Sequence, residues 1–152
     1  MSEAPFTVRG SCVAIGEAGV LLRGDSGCGK SDLALRLIDS GAMLVSDDYV
    51  AVRAEGARIV AAPPEPIRGL IELRGVGLLR VPYCENVALA LVLDLLPSFR
   101  VSRHPERKTT QISGVSLPLF AIAPLEASAP AKVRMLLNAL NCDGFQADLP
   151  PK

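Results

Sequence analysis

Gly24-Asp25-Ser26-Gly27-Cys28-Gly29-Lys30-Ser31 meets every fixed position of the pattern G-x-x-x-x-G-K-[ST]. The glycines let the backbone curl so that successive N–H groups point inward at phosphate oxygens. Lys30 supplies a mobile positive charge for the outer phosphates of a nucleotide, and the Ser31 hydroxyl is of the kind that ligates Mg²⁺. Context supports the motif. Before it, Gly19-Val20-Leu21-Leu22-Arg23 is a short apolar run that reads as a buried strand. After it, residues 32–39 read as a helix: Leu33, Ala34, Leu37 and Ile38 share one face, while Asp32, Arg36 and Asp39 lie on the other. Gly41 stands where a C′ glycine belongs. Strand, glycine loop, helix is the arrangement the motif requires, and a chance glycine turn would not bring it.

Working outward, residues 42–48 read as a buried strand ending in Asp47-Asp48. A helix between two strands implies a right-handed parallel crossover. The helix carries the chain away from the loop by about 15 Å, at ~1.5 Å per residue. A strand of about five residues at ~3.3 Å each returns it a similar distance. Asp47 and Asp48 are therefore expected level with Lys30 and Ser31. Two adjacent carboxylates beside a polyphosphate offer Mg²⁺ binding to one and proton abstraction to the other. The plainer reading, a solvated acidic turn, loses ground because of the loop beside it.

Length and composition bound the rest. The chain has 152 residues, 49% of them hydrophobic, which suits a single domain spanning 1–152 with a real core. A formal net charge of +0 argues against a broad nucleic-acid-binding face. No apolar run is long enough to span a membrane and no secretory pattern opens the chain, so a cytoplasmic protein is expected. Cys12, Cys28, Cys84 and Cys142 are scattered without a C-x-x-C pair, the pattern of small hydrophobes rather than a zinc site or a disulfide framework. His104 is the only histidine.

Residues 6–9 and 12–15 read as short strands, with residues 16–19 turning into the strand that feeds the loop. Residues 49–53 and 58–61 suggest a hairpin around Glu55-Gly56, and Pro63-Pro64-Glu65-Pro66 a loop. Ile71-Glu72-Leu73-Arg74-Gly75-Val76-Gly77-Leu78-Leu79 reads as an extended segment with Glu72 and Arg74 on one face. Residues 86–96 are strongly apolar, and Leu91-Val92-Leu93-Asp94 resembles a conventional Walker B strand, so Asp94 rivals the Asp47-Asp48 pair. Residues 99–107 form a polar loop carrying Arg100, Arg103, His104, Glu106 and Arg107. A further hairpin is expected at 109–112 and 115–117 about Ser113-Gly114. A last helix follows Ser128, with Val133, Leu136, Leu137 and Leu140 on one face, and residues 146–152 are expected to fray.

These residues together resemble the catalytic domain of bacterial HPr kinase/phosphorylase, in its short alphaproteobacterial form. The resemblance rests on the glycine loop, the Asp47-Asp48 pair at its spacing, the Glu72-Leu73-Arg74-Gly75-Val76-Gly77 stretch, and Arg103 in Ser102-Arg103-His104-Pro105. It spans about residues 9–140. It implies an α/β P-loop fold like that of phosphoenolpyruvate carboxykinase: a mixed sheet, an additional small sheet and few helices. It implies an ATP- and Mg²⁺-dependent kinase that phosphorylates a serine of the phosphocarrier protein HPr or a relative, with phosphorolysis as the reverse reaction. By matching position, Gly24, Asp25, Ser26, Gly27, Cys28, Gly29, Lys30 and Ser31 hold the phosphates. Ser31, Glu72 and Asp47 hold or support Mg²⁺, Asp48 is the base toward the incoming serine, and Arg103 stabilises the transferred phosphoryl group.

Departures from the family pattern matter as well. Arg9 stands where the family has a histidine, so phosphorolysis is expected to be weak or absent. The family's Pro-x-Lys-x-Gly-Arg loop is met only loosely by Pro130-Ala131-Lys132-Val133-Arg134. The N-terminal domain of long members is not expected here, and a homo-oligomer is left open. Two other functions remain in play: a small-molecule P-loop kinase using Asp94, and a nucleotide-sensing module without catalysis.

Overall fold

Apolar residues on both sides of one strand require cover on both faces of its sheet, and this governs how the chain is laid out. The computed structural model describes residues 4–142, 144 and 145. Its elements are β1 (Phe6–Arg9), β2 (Ser11–Ile15), β3 (Ala18–Arg23), α1 (Lys30–Asp39), β4 (Met43–Ser46), β5 (Tyr49–Glu55), β6 (Arg58–Ala62), β7 (Leu70–Leu73), β8 (Gly77–Arg80), β9 (Val87–Leu95), β10 (Lys108–Ile112), β11 (Val115–Ile122) and α2 (Ala129–Cys142). Short 3-10 turns lie at Glu65–Ile67 and Ser98–Arg100.

Nine strands form one curled mixed sheet, ordered β1-β5-β6-β9-β3-β2-β4, with β10 and β11 branching from β9. The long β9 is the spine. One edge runs parallel to β3. Elsewhere its start pairs with β6, at Val60↔Ala88 and Ala61↔Val87, and its end with β11, from Leu119↔Val92 to Ile122↔Leu95. The crossover through α1 makes β4 parallel to β3, and β2 lies between them, antiparallel to both. Strands β3, β4, β9 and β11 thus end on the same side, where open α/β sheets bind ligands.

The strand period of two sorts the core into two layers. Val20, Leu22, Leu91 and Leu93 face α1 and α2, packing on Leu33, Leu37, Val133 and Leu137. Leu21 and Val92 face the other way, against Val50, Val52, Ile59 and Leu117 of the curled strands. Helix α1 ends in a Schellman motif: Ala42 N–H reaches Leu37 O at 2.9 Å and Gly41 N–H reaches Ile38 O at 3.0 Å. Gly41 adopts φ 112°, as that cap demands.

The structure departs from the sequence reading at residues 71–79. Instead of one extended segment, β7 and β8 fold back on each other with Leu73 opposite Gly77, making the separate two-stranded sheet. The reversal uses left-handed backbone at Gly75 (φ 84°) and Gly77 (φ 113°), and Val76 N–H closes it on Leu73 O. Arg74 therefore lies in the turn and Glu72 in the strand. Among the described residues neither makes an ion pair. The hairpin expected at 109–117 is present, but β11 runs on to Ile122 to reach β9. The fraying expected at 146–152 lies outside the described residues.

Candidate phosphate-binding and transfer site

The loop between β3 and α1 is held in shape from within. Cys28 N–H bonds Asp25 O at 3.0 Å, and Gly29, at φ 110°, forms the N-cap of α1 and accepts the helix bond from Leu33 N–H at 2.9 Å. A Cβ on Gly24 would lie 2.5 Å from Cys28 Sγ, and one on Gly29 would press on Pro124 and Leu125 at 3.3 Å. Only glycine fits these places. The loop tip, from Gly24 to Gly27, is exposed, while Lys30 is only 7% exposed. Its Nζ donates to Gly24 O at 2.8 Å and Asp25 O at 3.1 Å. The lysine charge is thereby stored against the loop's own carbonyls, beside the place where the motif receives phosphates.

Asp47 is the hub of the site. It is 7% exposed, and Oδ1 accepts from Ser31 Oγ at 2.7 Å and from Ser11 Oγ at 2.8 Å. Its Oδ2 accepts from the backbone N–H of Glu72 at 3.3 Å. All of these donors are neutral, and among the described residues no lysine or arginine pairs with Asp47. A buried carboxylate beside a serine hydroxyl, with no cation of its own, is a hard-oxygen donor set that suits Mg²⁺. Among the described residues no cluster of three His, Cys, Asp or Glu side chains is assembled.

Asp48 differs in every respect. It sits at φ 69°, in a three-residue turn closed by Tyr49 N–H to Asp47 O at 2.8 Å. Such positive-φ turns are strained for a non-glycine residue and persist where the surroundings over-determine them. Here the surroundings are Ser11, whose Oγ accepts Asp48 N–H at 3.2 Å, and Gly10, whose N–H bonds Asp48 O at 2.9 Å. The Asp48 side chain is exposed at the rim and meets Arg9 Nη2 at 3.6 Å. Arg9 also lies over the Tyr49 ring, 5.5 Å from its centroid. So exposed a pair contributes about 0–1 kcal/mol and holds neither partner tightly.

The rival carboxylate is engaged elsewhere. Asp94 faces Arg23 across the β3–β9 pairing and accepts from its Nε at 2.9 Å and Nη2 at 3.3 Å. Ser31 bonds Asp47 and not Asp94. Glu72 joins the site through its backbone, with an exposed side chain. Arg103 is exposed in the loop before β10 and makes no ion pair among the described residues. Sequence reasoning missed Ser11, whose single hydroxyl ties Asp47 to the Asp48 backbone; its only signal was a polar residue heading an apolar strand. Arg36 was also missed as a clamp. From α1 it donates to the carbonyls of Pro124 and of Glu126, fixing the corner after β11 to the helix of the phosphate loop.

This fold and site define an α/β P-loop domain with a separate small sheet. A family profile described as "HPr Serine kinase C-terminal domain" matches residues 3–86, more than half of the chain, taking in the glycine loop, the acidic pair and the β7–β8 hairpin. The chain belongs to that family. It is similar to the HPr kinase/phosphorylase of Caldicellulosiruptor bescii, 46% identical over 130 residues, covering 77% of this chain and 42% of the relative. It is likewise similar to that of Brevibacillus brevis, 41% identical over 147 residues, covering 89% of this chain and 47% of the relative. The chain thus spans less than half the length of these relatives. Its fold superposes on the solved Hpr(Ser) kinase/phosphatase from Coxiella burnetii with a TM-score of 0.81 at 23% identity, covering 91% of this chain and 98% of that one. The likeness bears out the P-loop fold resembling phosphoenolpyruvate carboxykinase.

Proposed function

We propose that this domain transfers the γ-phosphoryl group of ATP to a serine of HPr or an HPr-like phosphocarrier. The observation that carries the reading is the bond between the motif serine, Ser31, and the buried Asp47, with Asp48 next in sequence but turned to the exposed rim. The loop N–H groups and Lys30 would hold the phosphates, with Lys30 leaving the carbonyls of Gly24 and Asp25 to do so. Ser31, Asp47 and the Glu72 carboxylate are the groups proposed to hold Mg²⁺. When bound, that ion would neutralise charge on the outer phosphates.

Asp48, exposed at the rim, is the group proposed to act on the acceptor. The serine Oγ forms the new bond to phosphorus, its proton passes to the Asp48 carboxylate, and the bond between the γ-phosphorus and the bridging oxygen of ADP breaks. Arg103, exposed in the loop before β10, is proposed to neutralise charge on the phosphoryl group in flight. No helix among the described residues is long and apolar enough to cross a membrane, and a cytoplasmic setting goes with the reading. The test is incubation with labelled ATP, Mg²⁺ and candidate phosphocarriers, then identification of the modified residue. Label on a single serine that disappears with Lys30→Ala is the expected result. Undiminished transfer by that variant would sink the proposal.

A further inference from the structure

The corner between β1 and β2 meets the corner between β4 and β5, and three consecutive residues of the first hold one residue of the second. The Arg9 guanidinium meets the Asp48 carboxylate at 3.6 Å, Gly10 N–H donates to Asp48 O at 2.9 Å, and Ser11 Oγ accepts from Asp48 N–H at 3.2 Å. The three contacts are unequal. The first is exposed and loose, whereas Ser11 is completely buried.

Ser11 also reaches the other carboxylate, and the direction of its bonds is fixed. A backbone N–H can only donate, and a carboxylate can only accept. Ser11 Oγ therefore takes the Asp48 N–H on a lone pair and gives its one proton to Asp47 Oδ1 at 2.8 Å. Ser31 Oγ reaches the same oxygen at 2.7 Å. Three hydrogen bonds thus join the rim residue Asp48 to the serine of the phosphate loop, where the covalent path runs through all of α1 and β4.

We infer that Ser11 is a positioning residue for the transfer, holding Asp48 in register with the phosphate loop. This role rests on the proposed action of Asp48 as base toward the acceptor serine. Asp48 sits at φ 69°, a conformation that costs a non-glycine residue energy and is kept by its surroundings. The two peptide planes that flank it are held separately, the following one by Gly10 and the preceding one by Ser11. Without Ser11 only the turn's own bond, Tyr49 N–H to Asp47 O, restrains the preceding plane. Rotation there swings the carboxylate along the rim, and a general base acts only within hydrogen-bond reach of the proton it takes.

The test begins with the ligand-free protein. Exchange of the Asp48 amide with solvent, followed by NMR, should be about tenfold faster in Ser11→Ala than in the native chain, with the amides of α1 unchanged. Equal exchange at Asp48 would overturn this role. In single-turnover phosphorylation with HPr as acceptor, Ser11→Ala should lower transfer about 10- to 100-fold, the scale of a small misplacement of a reacting group. The KM for ATP should stay within about twofold. In an Asp48→Asn background, Ser11→Ala should bring no further loss, because no base is left to position. An equal loss in both backgrounds, or a KM for ATP that rises as transfer falls, would assign Ser11 to the fold or the phosphate site and overturn its role toward Asp48. Should Ser11→Ala fail to fold, Ser11→Cys, similar in size but a weak hydrogen-bonding group, carries the same comparisons. Undiminished transfer by Asp48→Asn, or a native chain that transfers nothing to HPr, would remove the base itself and the role of Ser11 with it.

Discussion

Adjacent carboxylates can differ more than distant ones, and Asp47 and Asp48 do so because the turn between β4 and β5 points one inward and the other out. Asp47 is tied to Ser31, Ser11 and the Glu72 N–H, so Asp47→Asn leaves a buried hydroxyl facing an amide and loses a charge. It should cost about 1–3 kcal/mol of stability in urea titrations and weaken Mg²⁺-dependent ATP binding. Asp48→Asn should keep nucleotide binding and lose phosphorylation by about 10²–10⁴-fold, the range for a positioned general base. Asp94→Asn, which breaks only the half-buried pair with Arg23, should change activity little. Single-turnover assays on the three variants decide it; loss with Asp94→Asn and survival with Asp48→Asn would restore the Walker B reading of Asp94. Cys12 tests burial instead. Burial, with Cys84 nearby, pushes its thiol well above the ordinary range, so the folded state keeps the proton that the unfolded chain releases. That contribution is complete below about pH 8.5 and declines as pH rises beyond it. By pH 10 the native chain should have lost about 2 kcal/mol more than Cys12→Ala, measured by urea unfolding at pH 8 and pH 10.

At the scale of elements, the glycine loop works because both of its ends are stiff: β3 is buried on two faces, and α1 buries Leu33, Ala34 and Leu37 in the core and is closed at its C-terminus by the Schellman motif. Gly41→Ala would force an L-residue to φ 112° in the Schellman cap and should lower stability by about 1 kcal/mol, seen as a lower urea midpoint with an unchanged slope. Activity should persist, because the loop lies at the other end of the helix. This part of the fold was legible in the sequence because each signal is local: an apolar strand, a glycine motif, helical periodicity and a C′ glycine stand in one run of residues. The return of Asp47 and Asp48 to the loop was legible as well, from element lengths alone. What escaped was long-range. Ser11 lies 36 positions from Asp47, and Arg36 lies 88 from Pro124, so no window of sequence contains either contact. The hairpin at Leu70–Arg80 was misread for a different reason. Its alternating residues fit a strand, and whether Gly75 and Gly77 reverse the chain or merely bend it depends on what packs there.

For the whole molecule, the proposed transfer has a forward and a reverse direction, and we propose that the balance between them turns on Arg9. The resemblance drawn from the sequence expects a histidine at this position, and the structure sets Arg9 3.6 Å from Asp48 across the exposed rim. Phosphorolysis needs inorganic phosphate to attack phosphoserine, forming pyrophosphate and returning a proton to the serine oxygen. A guanidinium attracts phosphate but does not exchange protons near neutral pH, whereas an imidazole does both. Kinase activity is therefore expected to survive in the native chain and phosphorolysis to be weak. Release of pyrophosphate from phosphorylated acceptor in excess phosphate, compared between the native chain and Arg9→His, measures this directly. The histidine should raise the reverse rate and make it fall away on the acid side of neutrality, with a smaller change in the forward rate. Strong native phosphorolysis that the histidine does not increase would show that proton exchange at this position is not limiting. A native chain without kinase activity, rescued only by Arg9→His, would instead mark the domain as a nucleotide sensor whose rim arginine occupies the base.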